Sequence, residues 1–146
     1  MFLTRGIVRR TALLLLSLLA VFNVWSETTD DAATLTVAEA KILVYVSPVG
    51  DRARRDGLDV ALELQTSAQL NQADYYYFWV YNAKREQSGG SVTIGYFAVN
   101  KHTAEVWDTD TKKQISSDLV VGVQKIVRDS HHIDEPKIEK YRGRPL

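Results

Sequence analysis

The chain has no cysteine in 146 residues, which excludes a disulfide framework, a thiolate metal site and a thiol nucleophile. Histidine is scarce: His102, His131 and His132 are the whole supply. With no HExxH and no Cys/His spacing, the sequence offers no tight transition-metal site, and no cofactor is expected. An excess of one charge is lacking too, because 18 Lys and Arg balance 18 Asp and Glu. A nucleic-acid binder driven by overall charge is therefore disfavoured. Serine-nucleophile motifs of the GxSxG or SxxK kind are absent. Ser88-Gly89-Gly90-Ser91 is followed by a strand pattern rather than by lysine and a helix, so it reads as a turn and not a phosphate loop. Asp108-Thr109-Asp110 begins like a calcium loop, but Lys112, Lys113 and Leu119 stand where that loop needs an oxygen ligand, glycine and glutamate.

A long apolar run is missing as well. The longest is ALLLLSLLAVF over residues 12–22, short of the roughly 20 residues a spanning helix needs. It follows Arg5, Arg9 and Arg10 and precedes Val24-Trp25-Ser26, with small or apolar residues at the −3 and −1 positions. Basic segment, short apolar segment and small residue at the cut form an export signal. Residues 1–26 are expected to be removed after Ser26. No cysteine near the cut supports a lipid anchor, so no stable membrane anchor is expected after cleavage. The remainder, 27–146, holds 15 basic and 18 acidic residues, a net charge of about −3. Export without disulfides points to a bacterial periplasm.

Residues 27–35 are a polar leader, and 36–132 are expected to form one α+β domain. Thr36 and Glu39 have capping-box spacing before a helical face of Val37, Ala40, Leu43 and Val44. Pro48 and Gly50 interrupt it, DRARRD at 51–56 adds one helical turn, and Gly57 stops that. LDVALELQ at 58–65 alternates as a strand does. YYYFWVYN at 75–82 is almost wholly aromatic and β-branched, the strongest strand in the chain. Lys84–Gly90 reads as a polar turn, 91–100 as a strand, Asn100–Thr103 as a turn and Ala104–Asp108 as a returning strand. Residues 109–115 read as polar connection. Ser116 and Ser117 can cap a last helix whose stripe is Leu119, Val120, Val123, Ile126 and Val127. Residues 133–146 read as a flexible charged tail. Helix, four strands and helix, joined by short turns, predict a curved four-stranded antiparallel sheet covered by an N-terminal and a C-terminal helix.

Two features are candidates for binding. On the aromatic strand Tyr75, Tyr77, Trp79 and Tyr81 share one side; Tyr76, Phe78, Val80 and Asn82 share the other. A helix covers one set. The second set either packs beneath cross-strand partners such as Tyr96 and Trp107, or joins Trp107 in a partner-binding face of the hot-spot type. Arg52, Arg54 and Arg55 form the only dense basic cluster, either a solvated turn or a patch for an acidic partner. His131 and His132 stand at a helix end, where positive charge suits the dipole.

Residues 91–107, SVTIGYFAVNKHTAEVW, resemble the hairpin of small exported cystatin-like proteins, the PepSY and NTF2-like immunity families. An aromatic-rich strand, an Asn-Lys-x-Thr turn and Glu-Val are matched by Tyr96, Val99, Asn100, Lys101, Thr103, Glu105 and Val106, with Ala104 in place of the usual glycine. The resemblance implies a fold without a fixed catalytic centre and a protein partner, such as a toxin or peptidoglycan-active enzyme, that is bound and inhibited. The competing expectations are a small NTF2-like enzyme with an apolar pocket inside the sheet, and a structural envelope protein.

Overall fold

The computed structural model describes residues 34–66, 73–86 and 93–145. The export signal, most of the leader and the Ser88–Ser91 turn lie outside them. The elements are α1 (Val37–Tyr45), α2 (Pro48–Arg55), β1 (Val60–Gln65), β2 (Tyr75–Asn82), α3 (Ala83–Glu86), β3 (Thr93–Asn100), β4 (Val106–Asp108), β5 (Lys113–Ile115), α4 (Asp118–Ser130) and α5 (Glu135–Tyr141). The sheet is an antiparallel meander in the order β1-β2-β3-β4-β5.

Local chemistry sets the helix ends. Thr36 caps α1: its hydroxyl accepts from the Glu39 N–H, while the Glu39 carboxylate accepts from the Thr36 N–H at 2.8 Å. Ser47 caps α2, Ser117 caps α4 and Asp134 caps α5. Pro48 opens α2 rather than breaking the chain, because the first turn of a helix needs no N–H there. Gly50 lets α2 approach the end of α1. A Cβ on it would meet the Tyr45 carbonyl oxygen at 2.6 Å.

The two longest helices, α1 and α4, lie on one sheet face. Phe78 and Val80 of β2, Phe97 and Val99 of β3 and Val106 of β4 meet Ala40, Leu43 and Val44 of α1 and Val120 and Val127 of α4. Burying each of the two phenylalanines contributes roughly 1.5–3 kcal/mol. Leu35 extends this core and is tied down at both ends, its N–H donating to the Lys101 carbonyl and its carbonyl accepting from the Tyr76 hydroxyl. Among the described residues no helix is long and apolar enough to cross a membrane.

Three expectations change. The sheet has five strands, not four. Lys113–Ile115 pairs along β4 as a three-residue edge, too short and too exposed to carry an apolar alternation. On α4 the buried face is Val120, Gln124 and Val127, with Leu119 55% and Ile126 68% exposed. A polar residue replaces apolar ones because the Gln124 amide donates to the Ala104 carbonyl at 3.0 Å, docking the helix on the β3–β4 turn. Beyond 132, where the sequence reads as tail, α5 carries Ile138 into the core, preceded by buried Ile133.

The β3–β4 turn keeps the grammar read from sequence. The Asn100 side-chain oxygen accepts from the His102 and Thr103 N–H groups. Ala104 adopts φ +60° with its methyl fully buried. It takes the left-handed conformation that glycine adopts freely, at a cost of about 1–2 kcal/mol.

Candidate partner-binding face

Sheet register assembles the second face. Opposite residues of paired strands share a side, so one row runs Gln65, Tyr77, Ala98, Trp107, Gln114 and the next Glu63, Trp79, Tyr96. A bulge in β3 skips Ile94, which sets Thr93 opposite Tyr81 and makes a third row with Ala61. Tyr75, Tyr77, Trp79, Tyr81 and Trp107 therefore lie on one side, as their alternation predicts. The core helices α1 and α4 pack on the opposite side.

The face has two ends of different character. At one end Tyr75, Tyr77, Ala98 and Trp107 form a buried cluster, with Tyr77 5% and Trp107 8% exposed. The chain after α5 closes over it. The Tyr75 hydroxyl donates to the Gly143 carbonyl at 2.6 Å, and the Asn100 amide donates to the Tyr141 carbonyl at 3.0 Å. Arg142 pairs with Glu105 at 3.6 Å and with Glu139 at 2.6 Å. Glu105 is only 3% exposed; its second oxygen and the Trp107 indole N–H find no hydrogen-bond partner among the described residues. Burial pushes the Tyr75 phenol up, and the carboxylates of Glu105 and Asp74 push the same way. Burial lowers the Arg128 guanidinium, which donates to the Thr103 carbonyl at 2.8 Å. Tyr75, Tyr77 and Trp107, candidates for partner contact by sequence, are thus buried, and Tyr75 is bonded to the molecule's own C-terminal segment.

At the other end no described element lies above the rings. Trp79 and Tyr81 stack with ring centroids 4.4 Å apart and are half-buried, and Tyr96 is 42% exposed. The Trp79 indole N–H donates to the Thr93 hydroxyl at 3.1 Å, tying the ring to β3. Tyr96 was legible as a cross-strand neighbour but not as surface. Only the register, which sets it beside Trp79 with no further strand residue over it, shows that it is open.

Arg52, Arg54 and Arg55 do not join this face. They ride on α2, in the helix layer. The Arg54 guanidinium lies 4.0 Å over the Tyr45 ring and donates to the Tyr45 carbonyl, and Arg55 pairs with Asp51 at 3.0 Å. His131 is likewise committed: its Nε2 lies 2.8 Å from Glu39, joining the end of α4 to the cap of α1. Burial alone would raise the Glu39 carboxyl, but the Thr36 N–H and hydroxyl together with His131 outweigh it and lower it. The Asp108–Asp110 segment is a turn in which Asp108 accepts from the Thr111 N–H. Among the described residues no group of three or more His, Asp and Glu is placed to hold a metal ion. A cleft of about 400 Å³ lies between Asp74–Tyr75 and Lys140–Arg144. Its walls are mixed, with Asp74, Lys140, Arg142 and Arg144 beside Ala73, Tyr75 and Tyr141.

No protein-family model matches the chain, and no curated protein matches it. Among solved structures it is similar to a chain of a type VI secretion system effector–immunity complex from Pseudomonas protegens. The TM-score is 0.55 at 15% identity, over 80% of this chain and 91% of that one. At that identity the likeness is one of fold: an α+β arrangement shared over nearly the whole of the other chain.

Proposed function

We propose that this chain is an immunity-type binding protein, exported to the periplasm with cleavage near Ser26, that neutralises a toxin or wall-directed hydrolase by covering its active site. The observation that carries the reading is the exposed end of the sheet face opposite α1 and α4. Trp79, Tyr81 and Tyr96 present adjoining aromatic surface there without a described element above them. Flat, rigid aromatic surface is what protein-binding hot spots are made of, since Tyr and Trp contribute large contact area at little entropic cost. The rings are held in place before binding, Trp79 by Thr93 and by its stack on Tyr81. A binder of this kind needs no catalytic group. The fold likeness to a chain of an effector–immunity complex supports the same reading, as does the resemblance of residues 91–107 to the cystatin-like immunity hairpin.

The test is protection. A strain lacking the gene, grown in contact with its parent, should lose ground, and the wild-type gene should restore it. The variant carrying both Trp79→Ala and Tyr96→Ala should accumulate to the same level and fail to restore it. Equal survival of the deletion strain, or full rescue by the double variant, would reject the reading.

A further inference from the structure

The first strand is an edge left open in two ways. Its inner residues Val60, Leu62 and Leu64 are only half-buried, whereas Phe78 and Val80 beside them are 1% exposed. Its backbone is also unpaired on one side. The Ala83 N–H donates to the Asp59 carbonyl at 2.8 Å, so residues 59 and 83 form a hydrogen-bonded pair. Such pairs alternate along an antiparallel ladder. Ala61 and Glu63 therefore bond to β2, and the N–H and C=O groups of Val60, Leu62 and Leu64 turn outward. Among the described residues nothing pairs with them. Natural edges of this length are blunted with lysine, proline or a bulge. Val60–Gln65 has none of these, and its one charge, Glu63, is on the outer face.

Helical geometry places one cation of α2 on the side of this edge. α1 lies over β2 and β3, and α2 lies beside β1. Arg54 is turned toward α1, where it meets Tyr45. Two residues are about 200° apart around a helix, which puts Arg52 on the opposite flank, toward the free edge. Arg52 is exposed and, unlike Arg54 and Arg55, makes no ion pair among the described residues.

We propose that β1 takes up an extended segment of the partner protein as a sixth strand, and that a carboxylate on the helix side of that segment meets Arg52. Main-chain hydrogen bonds supply the attachment, the half-open row Val60–Leu62–Leu64 takes apolar side chains, and Arg52 selects the charge. A second copy fits worse. Two-fold pairing of β1 with itself would bring two α2 flanks together, each carrying Arg52 and Arg55 against the single carboxylate of Asp56. The proposal rests on the reading of the chain as a protein binder, but its test uses no toxin and a different part of the surface.

The probe is a capped heptapeptide, Thr-Val-Thr-Glu-Thr-Val-Thr, and its counterpart with lysine at the centre. Amide hydrogen exchange is followed by NMR on the chain as recovered from cells. Saturating acidic peptide should slow the Val60, Leu62 and Leu64 amides at least fivefold and leave Ala61 and Glu63 unchanged. The lysine peptide should slow them less than half as much. Arg52→Ala should abolish the difference between the two peptides while Trp79→Ala keeps it. No slowing with either peptide, equal slowing with both, or slowing that grows with protein concentration when no peptide is present would overturn the proposal. The last of these would mean that a second copy holds the edge.

Discussion

Phe78 and Trp79 are neighbours on one strand and live in different surroundings. Phe78 is 1% exposed among Leu43, Val44, Phe97 and Val99. Trp79 is half-buried, stacked on Tyr81 and hydrogen-bonded to Thr93. The side of β2 under the helices carries Phe78 and Val80 at its centre, with Tyr76 and Asn82 hydrogen-bonded at its ends, and is closed by elements from both ends of the described chain. The other side is rings with polar handles, closed at one end by an Arg142–Glu105 contact and a tyrosine hydroxyl, and open at the other. The lesson is that a strand rich in aromatics on both sides builds one core and one surface. Phe78 and Val80, with no polar side-chain atom to satisfy, take the drier side, while the Trp79 indole N–H stays where it can reach the Thr93 hydroxyl.

Breaking the helix side should cost most. Phe78→Ala should destabilise folding by about 4 kcal/mol, in the range for a large core side chain cut to alanine, read as a fall in the denaturant midpoint at unchanged slope. Trp79→Ala, one residue along, should cost about 1–2 kcal/mol of folding stability, since the loss is chiefly a ring pair and a half-buried surface. It should weaken partner binding by about 2 kcal/mol or more. Comparable folding losses for the two variants would erase the distinction between the faces.

The helix layer is itself held at the α1 cap, and that contact is pH-sensitive. Thr36→Ala should cost about 1 kcal/mol in a thermal or denaturant melt, the usual value of a lost N-cap. The folded state lowers the Glu39 carboxyl relative to its unfolded value. The resulting stabilisation is complete above the unfolded value and disappears as pH falls through the lower folded one. Acid titration of stability should therefore be shallower in Glu39→Gln than in the wild type across the lower carboxylate range, and the two curves should converge at the acid end. Tyr96→Ala should be the mildest change for folding, within about 0.5 kcal/mol as for other exposed sites, and a clear loss in binding would sharpen the contrast with Phe78.

Periodicity and capping residues made most elements readable. Thr36 with Glu39, Ser117 before an apolar stripe, and the unbroken aromatic run of 75–82 each act over a few residues, so local chemistry is enough to place them. The two-sided alternation of Tyr75, Tyr77, Trp79 and Tyr81 was equally legible. Three matters depended on long-range contact. Lys113–Ile115 is a strand only because β4 offers it a ladder, and α5 is a helix with a buried residue because Ile138 finds the core. The division of the aromatic face into a closed and an open end depends on where Tyr141–Gly143 crosses it, through hydrogen bonds to Tyr75 and Asn100 about 70 and 40 residues away in sequence. Which side of a strand a residue faces is set by the period-two geometry of its own backbone. Whether that side stays open is set by which distant segment reaches it.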